Sequence, residues 1–447
     1  MAEKRITFQL KKTSAAKFSP KIRYRARKET DPATGLFRCQ AFYQRLQRYA
    51  ARPENLPCKL IVLDINRFKQ INELFGVQTG DLVLRFMGES IRELLREGEF
   101  AGHLWCDIFA ICVRRGDEEA DEFIGRINGR VNELPLDFDF IISAGILKIT
   151  QYGGEEAEVL CSRAEQAMET VKGDYLNRVA FYDGSIQQGF TKIHFLVSNM
   201  SAALERGEFT AFLQPQIDLR SGGVVSAEAL VRWRKDGRII PPNEFIPLFE
   251  KNSFVLKLDE YIWEQACKLL SGWRDHGISP RPVSVNVSRI HVYDSRFCEK
   301  IQTLLQKYGL SPKLIPLEIT ESIYVEDFKQ ILTLMKQMKE QGFLFEIDDF
   351  GSGYSSLSML QELPVDRIKL DMRFLKASQN EHAGRVIIKA VIDAARQLGV
   401  SVLAEGVETE EQVCFLKEAG CDLVQGYYYG KPMPIKKFET EYLGFKD

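Results

Sequence analysis

The chain has 447 residues, of which 45% are hydrophobic, and its 60 Lys and Arg residues are balanced by 62 Asp and Glu residues. This length is too great for one ordinary hydrophobic core and indicates two globular domains. The formal charge of -2 argues against a nucleic-acid polymer as the main partner and leaves a small anionic ligand open.

The cysteine and hydropathy patterns indicate the compartment. Nine cysteines occur without a Cys-x-x-Cys pair, and the five histidines do not cluster with them, which disfavours zinc and a disulfide framework. No apolar run reaches the roughly 18 residues needed to span a bilayer. We therefore expect a soluble, cytoplasmic protein without a membrane span.

Residues 1–30 form a basic N-terminal arm with ten Lys or Arg residues and only Glu3 and Glu29 as acids. One interpretation is a solvated arm without a binding role. The other is a surface that meets an anionic membrane or partner.

Residues 31–183 have the mixed pattern of an α/β sandwich. Strand-like runs cover residues 59–64, 108–113 and 138–147, and a helical stripe includes Leu84, Met87 and Ile91. Residues 184–205 carry apolar side chains at helical spacing, which predicts a connecting helix between two domains.

Residues 206–441 alternate short β-branched runs with amphipathic helices. Gly342 and Gly399 each end a helical stripe just before a strand-like run. This repeated alternation of strands and helices predicts a TIM-like barrel. The length of the segment is close to that of a (β/α)8 barrel, which has about 250 residues. Barrels of this kind carry their chemistry at the carboxyl ends of the strands.

Polar residues follow the apolar runs of this predicted barrel and should converge on one mouth. Each alone is explained as well by a helix cap or a turn. The adjacent carboxylates of Asp348 and Asp349 are more specific, because they would repel each other without a cation. The converging residues are Gln214, Glu228, Asn286, Glu318, Asp348, Asp349, Lys369, Glu405 and Gln425.

Carboxylates and one amide, without Cys or His, are ligands that suit Mg²⁺ or Mn²⁺. A carboxylate such as Asp348 can bridge two ions about 4 Å apart, the arrangement that stabilises in-line phosphoryl displacement. A phosphate ester is then the expected substrate. Lys369 is either a snorkelling surface lysine or a group that holds the attacking water or the developing charge.

Residues 190–440 closely resemble the EAL family of cyclic di-GMP phosphodiesterases. The resemblance rests on ordered motifs that include Glu228-Ala-Leu-Val-Arg232-Trp, Leu-Glu318-Ile-Thr-Glu321-Ser and Ala-Glu405-Gly-Val-Glu. It implies cyclic di-GMP as substrate, pGpG as product and two bound Mg²⁺ or Mn²⁺ ions. The implied roles are metal binding by Glu228, Asn286, Glu318, Asp348 and Asp349, hydrolysis by Glu405 as base with Lys369, dinucleotide binding by Gln214 and Arg232, and loop support by Glu321. We also expect Gln425, in Gln425-Gly ahead of Lys-Pro-Met-Pro, to contact the substrate.

Residues 31–183 resemble the GGDEF diguanylate cyclase domain, with a broken signature. Trp105-Cys106-Asp107-Ile108-Phe109 stands where the family has Gly-Gly-Asp-Glu-Phe. A Trp should obstruct the nucleotide where Gly admits it, and Ile108 removes a metal-binding carboxylate. The resemblance therefore implies a degenerate domain without cyclase activity.

A remnant of the nucleotide pocket is expected in this domain. Asn72 and Asp81 stand at the family's guanine-reading positions, and Asp64 is retained. The domain is then expected to bind GTP weakly or not at all, and to act as a regulator or a dimer platform. An Arg-x-x-Asp product-inhibition motif would fall at Arg96–Glu99, where Glu replaces Asp and weakens the match.

Two readings of the whole chain remain open. The first is an EAL phosphodiesterase, expected to form a homodimer through its barrel as the family commonly does. The second is a non-catalytic receptor that binds cyclic di-GMP and signals through a partner. The intact set of candidate ligands and the candidate base Glu405 favour the enzyme.

Overall fold

The computed structural model describes residues 29–136, 138–174, 176–321, 328–351, 362–371 and 381–445. The chain divides into two compact units, Met1–Lys192 and Ile193–Asp447. The division falls inside the helix Gly184–Glu205, where a connecting helix is predicted. The basic arm up to residue 28, and the Gly-rich loop beyond Gly351, lie outside the described residues.

The first unit contains a six-stranded sheet with the strand order β1-β3-β4-β2-β5-β6. The central strand β2 is antiparallel to both β4 and β5. The six strands are β1 (Phe37–Arg38), β2 (Cys58–Ile65), β3 (Phe100–Trp105), β4 (Ile108–Val113), β5 (Ile142–Ile149) and β6 (Val179–Phe181).

Both faces of this sheet are covered, which explains the continuous apolar run of residues 60–63 in β2. Alternate residues face opposite cores: Ile61 and Leu63 pack in one buried cluster, and Leu60 and Val62 in the other. The predicted α/β sandwich is confirmed. Its helices are Cys39–Ala50, Phe68–Phe75, Val77–Leu94, Asp117–Val131 and Ala157–Val171.

The strand predicted over residues 138–147 begins later, at Ile142. The side chain of Asn132 accepts from the N–H of Phe140 and donates to its carbonyl. Asn128 Oδ1 accepts the N–H of Ile142. These side-chain bonds take the backbone groups that a longer strand would pair with its neighbours, and apolar pattern alone does not reveal them.

The second unit is a closed eight-stranded barrel. It closes because β7 pairs with β8 as well as with β15, so the barrel itself has no free edge. The barrel strands are β7 (Phe209–Asp218), β8 (Val224–Lys235), β10 (Val283–Asn286), β11 (Leu317–Thr320), β12 (Phe345–Phe350), β13 (Arg367–Asp371), β14 (Ser401–Glu405) and β15 (Leu423–Val424). Two short strands, β9 (Arg238–Ile240) and β16 (Met433–Pro434), attach to β8 and β7.

The barrel prediction is confirmed with one difference: β7 is antiparallel to both of its barrel neighbours. A strictly parallel (β/α)8 barrel needs a crossover of a dozen or more residues between successive strands. Only the turn 219–223 joins β7 to β8, so the chain must reverse direction there. The other barrel pairs are parallel, and their carboxyl ends share one mouth.

Helices join most of the parallel strands, as the alternation of strand-like and helical segments predicts. Gly342 and Gly399 adopt φ values of 91° and 75°, the left-handed geometry that ends a helix just before a strand. Among the described residues, this unit contains the helices Pro242–Lys251, Val255–Asp275, Phe297–Tyr308, Phe328–Glu340, Glu381–Gln397, Glu410–Ala419 and Ile435–Tyr442, and the helix Gly184–Glu205 crosses the division between the two units.

Candidate active site

Strand register brings the candidate residues to the mouth of the barrel. Glu228 on β8 is level with Ser284 on β10, and Asn286 on the same strand is level with Glu318. Because the strands are parallel and staggered, side chains from distant parts of the sequence point into one space.

Lys369 lies at the centre of this space. Its ammonium is 2.7 Å from Glu405 Oε1, 2.9 Å from Glu318 Oε2, 3.2 Å from Asp348 Oδ1 and 3.4 Å from Glu228 Oε2. The lysine side chain is 1% exposed, which excludes the alternative of a snorkelling surface residue. One positive charge thus faces four carboxylates.

Amide side chains surround Glu228. Asn286 Nδ2 donates to Glu228 Oε1 over 3.2 Å, and Gln425 Nε2 donates to Glu228 Oε2 over 2.5 Å. Gln425 Nε2 also lies 3.1 Å from Gln214 Oε1, and Gln214 donates in turn to the carbonyl of Gly430. The predicted substrate-contacting glutamines therefore belong to one hydrogen-bonded chain with a candidate metal ligand.

The carboxylates differ in their pKa values. Burial raises the pKa of Glu405 to about 8, and the charges of Asp348 and Glu228 add to the rise against the opposing effect of Lys369. Burial, followed by the charge of Glu228, holds the pKa of Glu318 well above its usual range. Burial acts on Glu228 in the same direction, but Lys369 and the surrounding hydrogen bonds lower its pKa overall. The site therefore carries too little positive charge for its carboxylates.

A divalent cation fits this site by donor chemistry and by charge. Carboxylate and amide oxygens are ligands of Mg²⁺ and Mn²⁺. Burial and mutual repulsion disfavour the ionised form of these carboxylates, and a bound cation would compensate their negative charge. Within the described ranges, no three His, Cys, Asp or Glu side chains are grouped as ligands of one ion. The ammonium of Lys369 instead occupies the space between the carboxylates.

The β12 strand ends in a strained turn. Asp349 adopts φ 54°, a left-handed conformation that is uncommon for residues other than Gly, and the pairing of β12 with β13 shifts between Ile347 and Phe350. Glu321 Oε2 accepts the N–H of Gly351 over 2.9 Å. This contact holds the start of the loop, as expected for a loop-supporting residue. Strain of this kind is frequent at functional sites.

The mouth forms a cleft of 410 Å³. Arg232 does not line it; its guanidinium instead lies 5.7 Å from the ring centroid of Phe212 and donates to the carbonyl of Val231. The lining residues are Gln214, Glu228, Leu230, Asp348, Asp349, Lys369, Asp371, Glu405, Gly406, Glu408, Gln425, Gly426 and Tyr427.

Three of the lining residues that have polar or aromatic side chains were not predicted from the sequence: Asp371, Glu408 and Tyr427. Asp371 lies two residues after Lys369 on β13, and strand alternation places both on one face, which was a usable signal. Tyr427 is 58% exposed and lies two residues after Gln425. Its ring offers a face on which a purine base can stack.

The raised pKa of Glu405 predicts a pH effect on stability. The folded pKa of about 8 exceeds the ordinary value of 4.5, so between these values the folded protein binds more protons than the unfolded chain. The free energy of unfolding should therefore fall as the pH rises from about 5 to about 8. In urea unfolding with EDTA, Glu405→Gln should show a smaller fall than the wild type. Equal falls would contradict the prediction.

In the first unit, the broken signature forms the turn between β3 and β4. Cys106 has φ 50°, and Trp105 pairs with Ile108 across the turn. Ile108 is 6% exposed and belongs to the buried cluster that includes Leu60, while the Trp105 ring is 44% exposed. Ile108, which stands where the resemblance implies a metal-binding carboxylate, is thus a core residue in this chain.

Asp64 is a buried residue near this turn and forms an ion pair with the exposed Lys172. Asp64 is 1% exposed, and Lys172 Nζ lies 2.7 Å from its Oδ2. Burial raises the pKa of Asp64, the contact with Lys172 opposes this, and the charge of Asp107 adds to it. Lys172 therefore supplies the positive charge that faces the buried Asp64 carboxylate.

A cavity of 690 Å³ next to this ion pair is lined by Asn66, Arg67, Lys172 and Arg178, among others. The predicted remnant residues Asn72, Asp81 and Asp64 do not line it. Asn72 instead packs so closely on Gly80 that a Cβ there would lie 2.0 Å from its Oδ1, and Asp81 is exposed. The cavity therefore contains the basic residues Lys172 and Arg178 but not Asn72 and Asp81, the residues expected to read guanine.

Glu99 of the motif Arg96–Glu99 is hydrogen-bonded to other residues of the first unit. Glu99 accepts from Arg115 Nε and Nη2 over 2.8 and 2.5 Å and from the backbone N–H of Arg96 over 2.8 Å. Both side chains of the ion pair are buried, at 6% and 4% exposed. A carboxylate committed in this way is not presented to a dinucleotide, consistent with the weak match of this motif.

Comparison with family models identifies both units. The EAL domain model matches residues 197–432, and the model of the diguanylate cyclase GGDEF domain matches residues 28–178.

Curated relatives align with most of this chain at about 30% identity. The cyclic di-GMP phosphodiesterase PdeR of Escherichia coli is 30% identical over 427 residues, which cover 94% of this chain and 64% of PdeR. The cyclic di-GMP phosphodiesterase NbdA of Pseudomonas aeruginosa is 30% identical over 408 residues, which cover 90% of this chain and 52% of NbdA. The chain thus spans between about half and two thirds of the length of these relatives.

Solved structures support the same assignment of the fold. The PaMucR phosphodiesterase in its cyclic di-GMP complex aligns with a TM-score of 0.52 and 32% identity over 55% of this chain and 99% of that one. The S helix-GGDEF-EAL part of Vibrio cholerae LapD, bound to cyclic di-GMP, has a TM-score of 0.54 and 19% identity over 91% of this chain and 97% of that one. At that identity the second match shows the fold alone.

Proposed function

Because the chain belongs to the EAL domain family, we propose that its barrel hydrolyses cyclic di-GMP to linear pGpG with Mg²⁺ or Mn²⁺ as cofactor. The observation that carries the proposal is the group of four carboxylates around the buried Lys369. A site with this excess of negative charge suits divalent cations and a phosphodiester bound to them.

In the proposed reaction, the oxygen of a water molecule bonds to phosphorus and one P–O bond of the ring breaks. Glu405 is the general base that takes the proton of the water, and its pKa of about 8 without cations lies close to the range in which such a base works best. Lys369, 2.7 Å from Glu405, orients this carboxylate and can donate to the developing negative charge. The leaving oxygen of the ribose takes up a proton.

Glu228, Asn286, Glu318, Asp348 and Asp349 are the residues that would hold the two ions. When bound, such ions stabilise the attacking and leaving oxygens of an in-line displacement.

Gln214, Gln425 and Arg232 are proposed to bind the dinucleotide. Gln214 and Gln425 present amides beside Glu228. Arg232 offers a guanidinium, which suits bidentate recognition of phosphate, once it leaves its contact with the Val231 carbonyl.

The test is incubation of the purified protein with cyclic di-GMP and Mg²⁺ or Mn²⁺, with pGpG followed by chromatography. We expect linear product that disappears with a chelator and in Glu405→Ala. Tight binding of cyclic di-GMP without any product would overturn the proposal and make the protein a receptor that signals through a partner.

For the first unit we propose no cyclase activity and a regulatory or dimer-supporting role. The buried Ile108 and the Asp64–Lys172 ion pair support this, since both take positions that a metal-dependent cyclase needs. Incubation with GTP and Mg²⁺ should yield no cyclic di-GMP. Isothermal titration with GTP should show weak binding or none, and cyclic di-GMP formation would contradict the proposal.

We further propose a homodimer formed through the barrel in the cytoplasm. Exposed Val386 and Ile387 on the helix Glu381–Gln397 support a protein contact there, because adjacent exposed apolar side chains favour association. All nine cysteines are free thiols, as in a reducing compartment. In the described part of the chain, no helix has the length and apolarity to cross a membrane. Light scattering of the wild type and of Ile387→Glu would test the dimer.

A further inference from the structure

The helix Val255–Asp275 holds the end of strand β10 at two backbone points. Trp263 Nε1 donates to the carbonyl of Asn286 over 3.0 Å. Asp259 Oδ2 accepts the N–H of Ser288, two residues after Asn286, over 2.9 Å. Trp263 and Asp259 lie one helical turn apart, so they face the same segment.

His291 completes the buried contact behind this segment. Its side chain is fully buried, and its Nε2 lies 3.3 Å from Asp259 Oδ2. Its ring centroid lies 4.6 Å from that of Trp263 and 5.4 Å from that of Phe297. The chain that follows Asn286 is therefore packed from behind as well as hydrogen-bonded, and its position is tied to the helix.

This arrangement matters because β10 itself is short. The strand has four residues and ends at Asn286, and the N–H of Val287 makes the next bond to the neighbouring strand, to the carbonyl of Glu318. The Asn286 side chain sits at this end and donates its Nδ2 to Glu228. The direction of its amide oxygen is then set by the backbone at 286–288, which the helix holds.

We propose that Trp263 and Asp259 are positioning residues, which orient Asn286 so that its amide oxygen can ligate a divalent cation beside Glu228. The inference rests on the proposed function, since it requires a divalent cation bound beside Asn286 and Glu228. Groups that orient a ligand from behind typically change metal affinity by about 10- to 100-fold when they are removed.

Trp263→Phe tests the first contact, because it keeps an aromatic ring and removes the N–H donor. Trp273→Phe is a matched control: Trp273 lies on the same helix, is equally buried at 1%, and donates its Nε1 to Glu439 over 2.9 Å, away from the cleft. Mn²⁺ binding is measured by electron paramagnetic resonance without substrate. We expect at least about 10-fold weaker binding in Trp263→Phe, near-wild-type binding in Trp273→Phe, and similar losses of melting temperature in both.

Asp259 provides a second test, in which a conservative substitution should keep the contact with Ser288 and a truncation should remove it. Asp259→Asn retains an oxygen that can accept the Ser288 N–H, so it should bind Mn²⁺ nearly as the wild type does, while Asp259→Ala should bind it more weakly. Equal Mn²⁺ binding by the wild type, Trp263→Phe and Asp259→Ala would overturn this inference alone. A wild-type protein that binds no Mn²⁺ would overturn it together with the proposed function, and a wild type that binds Mn²⁺ without hydrolysis would overturn the proposed function only.

Discussion

Glu405→Gln is expected to abolish hydrolysis of cyclic di-GMP while the protein still binds it. Gln is nearly the same size as Glu and can accept the hydrogen bond from Lys369, but it cannot take a proton from water. Loss of a general base typically lowers the rate by about 10²- to 10⁴-fold. The measurement is kcat from pGpG formation, together with the dissociation constant for cyclic di-GMP from titration calorimetry in Ca²⁺ or EDTA.

Glu408→Gln is the matched control for this experiment. Glu408 lines the same cleft but is exposed and makes none of the four contacts with Lys369. Its change should leave kcat within about threefold of the wild type, since exposed charges contribute little. If Glu405→Gln retained most of its kcat, another group would have to serve as the base.

Lys369→Met is expected to abolish activity and to destabilise the barrel. Met has a similar length and no charge, so four buried or half-buried carboxylates lose the cationic partner that the described residues place within 3.4 Å of them. Removal of one member of a buried ionic group typically costs about 3–5 kcal/mol of stability. The measurement is urea unfolding in EDTA and again with Mn²⁺, which should restore part of the loss by supplying positive charge.

Lys339→Met provides the comparison for Lys369→Met. Lys339 pairs with Asp366, and both side chains are 30% exposed, so its loss should cost less than about 1 kcal/mol. Equal losses for the two variants, or no response of Lys369→Met to Mn²⁺, would show that Lys369 does not balance the charge of this site.

Much of the site follows from local sequence. Asp348 and Asp349 close an apolar run and enter a Gly-rich loop, and Lys369 and Glu405 follow similar runs. Because strands of a barrel end at one mouth, sequence order alone predicts that such residues converge. Glu321 is similar, since it lies in a short motif and accepts the N–H of Gly351, next to the loop that the motif implies it supports.

Other features of the site depend on which strands become neighbours. Arg232 belongs to the motif that begins at Glu228, yet its side chain turns to Val231 and Phe212. Tyr427 and Glu408 line the cleft from the chain segments that follow β15 and β14. In the first unit, Asn72 lies against Gly80 instead of lining the cavity beside Lys172. Side-chain direction at such positions is set by packing, for which hydrophobic periodicity carries no signal.

The sequence by itself determined the two units, the βα alternation of the second and the residues that end its strands, because these depend on periodicity, on glycine at helix ends and on short motifs. Only the tertiary structure decided that β7 runs against its neighbours, that Lys369 lies among four carboxylates, and that Trp263 and Asp259 hold the end of β10. These contacts join residues far apart in the chain, and their geometry comes from barrel closure and strand register, which no local pattern encodes.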